Sequence, residues 1–207
     1  MSGPPRLIET MRAEGGRIAL LDLHLARLAA SAAALGYPAD LGAARERAEQ
    51  SAGAGTRGVR LTLGPAGDLD LETWPLAHDP LRTAWIDPEP FRDAGTPRCQ
   101  HKTTDRAHYR RRQARARALG ADEAVLVNPR GEVVEGTRTT VWARRGGRLW
   151  TPPLASGGLA GVYRAHVLAT VPEAAEAALT PDDLRQSDAV FLSNALRGWM
   201  PVRLLPE

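Results

Sequence analysis

Lys102, in the run Cys99-Gln100-His101-Lys102-Thr103-Thr104, is the only lysine in 207 residues; the rest of the 27 lysines and arginines are arginine. A position that keeps an amine where the chain otherwise uses guanidinium points to a task arginine cannot perform. An ammonium can lose its proton and attack a carbonyl, whereas a guanidinium stays charged. Downstream, Gly120-Ala121-Asp122-Glu123-Ala124-Val125-Leu126-Val127-Asn128, Pro129-Arg130-Gly131 and Glu132-Val133-Val134-Glu135-Gly136-Thr137 read as strand, tight turn and strand. Such a hairpin delivers the Glu135 carboxylate to a strand end, with Gly136 expected to let a ligand approach the backbone.

An amine that can form an imine and an acid that can hold a pyridine nitrogen protonated are the two groups pyridoxal phosphate chemistry requires. A phosphate site can be argued separately. Ser156-Gly157-Gly158-Leu159-Ala160-Gly161-Val162-Tyr163-Arg164 precedes an apolar-periodic run. Small residues there let backbone amides at a helix N-terminus face a dianion. A plain surface connection uses the same residue types, so this loop alone decides nothing.

The elements that must position these groups are legible in outline. Leu21, Leu25, Leu28, Ala32 and Leu35 recur at helical spacing, and Gly36-Tyr37-Pro38 ends that helix. A second helical run spans Leu41 to Gln50. Alternation in Val59-Arg60-Leu61-Thr62-Leu63 and in Leu69-Asp70-Leu71-Glu72 predicts a hairpin about Gly64-Pro65-Ala66-Gly67. Pro75, Pro80, Pro88, Pro90 and Pro97 then stud a stretch poor in helix signals. These features predict a small lobe over residues 1–76, a linker at 77–80, and a larger lobe over 81–207 that holds the lysine, the strand pairs and a helix beginning near Gly161.

Composition narrows the class. At 22.3 kDa the chain can bury a sizeable core in one or two small domains. No apolar run approaches the roughly 20 residues of a membrane span, and the start, Met-Ser-Gly-Pro-Pro-Arg, has no signal-like apolar segment, so a cytoplasmic protein is expected. The lone Cys99 cannot form an internal disulfide and reads as packing near Lys102 rather than as a nucleophile. The five histidines show no metal-ligand spacing, so no metal is expected. Net charge is only +3, and the one dense basic cluster, Arg110-Arg111-Arg112 with Arg115 and Arg117, lacks interleaved aromatics. It reads as a solvated helix face, not a nucleic-acid site.

Five segments in order, HKTTDRAHY, GADEAVLVN, GEVVEGT, LWTPPLASGGLAGVYR and FLSNALRGWMPV, resemble the fold-type IV pyridoxal phosphate enzymes, from about Leu7 to Leu205. That family holds branched-chain and D-amino acid aminotransferases and 4-amino-4-deoxychorismate lyase. The resemblance implies an α+β fold of a small N-terminal α/β lobe and a larger mixed-sheet lobe, shortened at its start. It implies Lys102 as the cofactor's imine partner and Glu135 at the ring nitrogen. It places Arg27, in His24-Leu25-Ala26-Arg27-Leu28, and the Val162 and Tyr163 amides on the phosphate, with Ala195 also at the cofactor. Ser193-Asn194-Ala195-Leu196 and the segment containing Thr10 resemble the lyase form. They imply Thr10 as a catalytic proton donor to the leaving group, and Asn194 and Arg197 as substrate-binding residues.

The expected activity is therefore elimination of pyruvate from 4-amino-4-deoxychorismate to give 4-aminobenzoate for folate synthesis. An aminotransferase and a non-catalytic relative are the alternatives. A homodimer is expected, with functional coupling to an aminodeoxychorismate synthase. The chain departs from the family pattern at two places. Many transaminases place tyrosine five positions after the lysine, where Ala107 stands with Tyr109 two further on, and Thr140 replaces a frequent asparagine.

Overall fold

The structure is a computed structural model that describes residues 3–77 and 79–206. The chain divides into two compact units, Met1–His78 with His101–Asp105, and Asp79–Gln100 with Arg106–Glu207.

The first unit contains β1 (Leu7–Glu14), β2 (Arg17–Ile18), α1 (Leu21–Leu35), α2 (Leu41–Gln50), β3 (Thr56–Leu63) and β4 (Leu69–Pro75). Its four strands form an antiparallel sheet in the order β2-β1-β3-β4. Leu21, Leu25, Leu28 and Ala32 bury one face of α1 against Leu7, Met11, Val59 and Leu61 of the sheet. Gly36, at φ 70°, ends α1 in the left-handed conformation that glycine adopts without a Cβ penalty. The β3–β4 turn closes through Gly64 and Asp68, as the alternation predicts.

The segment around Lys102, expected in the larger lobe, groups instead with this unit. The reason is a sheet edge. Short β2 pairs only with the far end of β1, so Leu7 and Ile8 have room for another partner. The Ile8 amide donates to the Lys102 carbonyl at 2.8 Å, Leu7 bridges Thr103, and the Thr104 amide donates to the Arg6 carbonyl at 2.9 Å. His101 Nδ1 lies 3.1 Å from Ser31 Oγ on α1.

The second unit contains β5 (Thr83–Ile86), α3 (Pro97–Gln100), α4 (Ala107–Ala118), β6 (Glu123–Val127), β7 (Val133–Gly136), β8 (Thr140–Arg145), β9 (Arg148–Thr151), α5 (Val162–Thr170), β10 (Ala174–Glu176), α6 (Pro181–Arg185), β11 (Ala189–Asn194) and β12 (Gly198–Leu204). Its eight strands run in the order β10-β9-β8-β11-β12-β5-β6-β7, in a mixed sheet. The proline-studded stretch hides β5, which pairs in parallel with both β12 and β6. Among the described residues no helix is long and apolar enough to cross a membrane.

Helix α4 corrects the reading of the arginine cluster as a solvated face. Arg110, Arg111 and Arg117 are exposed, but Arg112 is only 3% exposed and donates to Asp87 at 2.6 Å and to the Glu89 carbonyl at 2.8 Å. Asp87 is fully buried, so its charge is tolerable only with a close cation. Arg112→Met should cost about 3 kcal/mol in urea unfolding, by leaving the buried carboxylate only the more exposed Arg115, at 3.4 Å, as a cation. Arg111→Met, on the exposed face, should stay within about 0.5 kcal/mol. Equal costs would show that the Arg112–Asp87 pair is not a structural requirement.

Candidate active site

In the second unit the candidate site residues gather around Glu135. Val133 and Val134 bury β7, and Glu135, its next-to-last residue, is half-buried. Both carboxylate oxygens are engaged. The Tyr109 hydroxyl donates to Oε1 at 2.6 Å, and the Leu159 amide donates to Oε2 at 3.1 Å. Burial pushes the Tyr109 pKa far up, and the Glu135 charge adds to the shift, so the phenol keeps its proton and donates. The tyrosine thus sits two positions beyond the place where many transaminases have one, and its hydroxyl is committed to Glu135. Gly136 serves a purpose other than ligand approach. A Cβ there would land on the Thr139 hydroxyl and lie 3.1 Å from Glu123 Cγ.

The glycine-rich loop leads into α5. Gly157 has φ 105°, and a Cβ on it would come within 2.5 Å of the Gly95 amide nitrogen, so glycine is required on two counts. Gly161 is the N-cap of α5 and supplies no side-chain cap, and the first turn holds no acidic residue. The helix therefore starts at Val162 and Tyr163 with a positive dipole end and nothing anionic from its own first turn beside it.

Strand β11 ends at Asn194, whose Oδ1 accepts from the Leu196 and Arg197 amides at 3.1 and 2.9 Å. Its Nδ2 donates to the Arg138 carbonyl at 3.3 Å. Asn194 thus shapes the turn that presents Ala195 and Arg197. Arg197 Nε donates to the Asp79 carbonyl at 3.1 Å, and burial followed by the nearby Arg138 charge pushes its pKa down. Arg138 was not singled out from sequence. Only its position three residues after Glu135 could have suggested it.

The first unit holds Lys102, Thr10 and Arg27. Lys102 is half-buried, and its backbone is pinned to β1 as described. Thr10, also half-buried, lies opposite Arg60 in the β1–β3 register. Arg27 donates from Nε to Glu9 Oε1 at 2.9 Å and from Nη2 to Glu9 Oε2 at 2.6 Å. His24, one helical turn earlier, places Nδ1 2.6 Å from the same Oε2. Burial alone would raise the Glu9 pKa, but the Arg27 charge and the hydrogen bonds from His24 and Arg27 outweigh it and hold it low. Sequence reasoning missed Glu9. Its signal was a charged residue inside the apolar run Leu7-Ile8-Glu9-Thr10-Met11, facing a helix with His and Arg at i and i+3.

Comparison with known proteins places this arrangement. The model of the amino-transferase class IV family matches residues 6–205. The chain belongs to that family. It is 31% identical over 190 residues to a Schizosaccharomyces pombe protein named "Putative aminodeoxychorismate lyase", covering 88% of this chain and 82% of the relative. A "Putative amino-acid aminotransferase" from Mesorhizobium loti has a crystal structure that superposes with TM-score 0.87 at 36% identity, over 98% of this chain and all of that one. A "Putative 4-amino-4-deoxychorismate lyase" from Legionella pneumophila superposes with TM-score 0.84 at 28% identity, over 98% of this chain and 83% of that one. Class IV aminotransferases are pyridoxal phosphate enzymes. The donor set fits that group: Glu135 is a carboxylate held by two donors, α5 begins without a side-chain cap, and the chain has one lysine.

The Glu9 cluster gives a pH test. A carboxylate with a depressed folded pKa stabilises the fold above its ordinary value of 4.5, and that stability is lost as pH falls through the lower folded value. At neutral pH, Glu9→Gln should be less stable than wild type by on the order of 3 kcal/mol. In urea titrations the gap should narrow as pH drops below 4.5. A gap that stays constant down to pH 3 would mean the Glu9 charge is not what holds Arg27 and His24.

Proposed function

We propose that this chain is a pyridoxal phosphate-dependent lyase that eliminates pyruvate from 4-amino-4-deoxychorismate to give 4-aminobenzoate. The observation that carries the reading is the likeness to the yeast protein over 88% of the chain. Thr10 and the Asn194-Ala195-Leu196 turn stand where they resemble the lyase form. When bound, the cofactor supplies an aldehyde that captures an amine and a ring that accepts an electron pair.

The chain's own residues have distinct tasks in this reading. The Val162 and Tyr163 amides and the Arg27 guanidinium hold the phosphate. Lys102 would hold the cofactor through its aldehyde group. As a free amine, Lys102 then takes the proton from the ring carbon bearing nitrogen. Glu135 would keep a proton at the pyridine nitrogen, where the ring would supply the electron sink. Thr10 protonates the departing enolpyruvyl group, while Asn194 orients the substrate and Arg197 takes one of its carboxylates. One carbon–hydrogen and one carbon–oxygen bond break, pyruvate leaves, and the ring becomes aromatic.

A second reading is supported by the Mesorhizobium loti structure, which is 36% identical over all of its own length. In that reading the same Lys102 and Glu135 serve amino-group transfer between an amino acid and a keto acid. In the lyase reading the chain works as a homodimer, and supply of its substrate couples it to a chorismate-amidating synthase.

Purified protein supplied with pyridoxal phosphate should turn yellow, and borohydride should fix the cofactor to the peptide containing Lys102. Lys102→Arg should lose all turnover, because charge survives and imine chemistry does not. Wild type should convert aminodeoxychorismate to 4-aminobenzoate and pyruvate. Glutamate formation from D- or branched-chain amino acids with 2-oxoglutarate, without 4-aminobenzoate, would replace the lyase reading with the second one. Protein that stays colourless in saturating cofactor would overturn both. Sedimentation at assay concentration should give a dimer, and a fully active monomer would remove that part of the proposal.

A further inference from the structure

Tyr109 has no assigned task in the reaction, yet its surroundings are built around its hydroxyl. The side chain is 6% exposed on α4. Its ring lies 4.2 Å from His108 and 5.6 Å from Phe91 between centroids, and the Arg106 guanidinium stands 4.6 Å over it. The buried Cys99 thiol, which its own burial pushes up to about 11, is the other titratable group on this phenol besides Glu135. A neutral thiol and a neutral phenol leave Glu135 as the acceptor of the pair, at 2.6 Å. The Leu159 amide occupies the second carboxylate oxygen, so the carboxylate plane is fixed from both sides.

We propose that Tyr109 is the positioning residue for Glu135: its phenol fixes the carboxylate and keeps it the weaker base, so that a proton shared with a pyridine nitrogen stays on the nitrogen. This rests on the functional reading above, in which Glu135 faces the cofactor ring. The physical argument is that a donor to a carboxylate stabilises the charged form and lowers its proton affinity. Without the phenol, Glu135 becomes more basic and freer to rotate, and the ring loses part of its positive charge. A less electron-poor ring leaves the lysine-bound nitrogen more basic.

The test uses cofactor-loaded wild type, Tyr109→Phe, Glu135→Gln and the double variant, each titrated by its visible absorbance. In Tyr109→Phe the pH midpoint of the visible band should rise by about one unit, the size expected for one hydrogen bond to a charged group. Turnover should fall roughly tenfold with KM within about twofold, because the phenol touches Glu135 and not the substrate. In the Glu135→Gln background, Tyr109→Phe should have no further effect, since its route of action is already gone. Placing 3-fluorotyrosine at position 109 keeps the packing and strengthens the donor, and it should move the midpoint down. This variant decides the matter if the phenylalanine variant does not fold.

Unchanged midpoints in both Tyr109 variants, or turnover losses that multiply in the double variant, would overturn the proposal while wild type still binds cofactor. A wild-type protein with no visible band would instead sink the functional reading, and this proposal with it.

Discussion

Buried carboxylates, each of which must find donors, set the terms for both units. Glu9, Asp87 and Glu123 are buried and Glu135 is half-buried, all in strands or at their edges, where a bare charge would be penalised. Each is answered differently. Glu9 takes an arginine and a histidine from one helix face, and Asp87 takes Arg112 from another. Glu123 is met mainly by the hydroxyls of Thr137 and Thr139, with Arg138 at 3.6 Å, and burial leaves its pKa raised. Glu135 takes a phenol and a backbone amide. The helices α1 and α4 are thus held to their sheets by charge as well as by apolar packing.

The contrast between Glu9 and Glu135 has chemical content. Glu9 is met by the opposite charge of the Arg27 guanidinium, which ties α1 to β1. The Tyr109 phenol and the Leu159 amide orient the Glu135 carboxylate, and neither of these two donors carries a charge.

Much of this was legible in the chain. Helix α1 announced itself by leucine spacing and the terminal Gly36, the β3–β4 hairpin by alternation around glycines, and the β6–β7 hairpin by Gly131 between two apolar strands. These are local patterns, decided by residues within one or two turns of each other. What escaped depends on partners far away in sequence. Arg112 looks like its solvated neighbours until Asp87 is placed beneath it, 25 positions earlier. Strand β5 is four residues between prolines and becomes a central strand only because β12 and β6 flank it. The Lys102 segment has no strand signal of its own and is ordered by the edge that β1 offers. Family resemblance supplied roles for Lys102 and Glu135, but not Glu9, Arg138 or the partner of Tyr109.

The pairing of that segment with β1 has a consequence for the order in which the molecule can form. As the chain emerges during synthesis, the helices and four strands of the first unit are all available once Pro75 has appeared. The Leu7–Ile8 edge nevertheless stays unsatisfied until Thr103 and Thr104 arrive, after β5 and α3 of the other unit have been made. An N-terminal fragment ending at Ala77 would therefore be a sheet with an open edge, the kind that recruits foreign strands. Lys102 is thus also part of the stretch that closes the first unit's sheet.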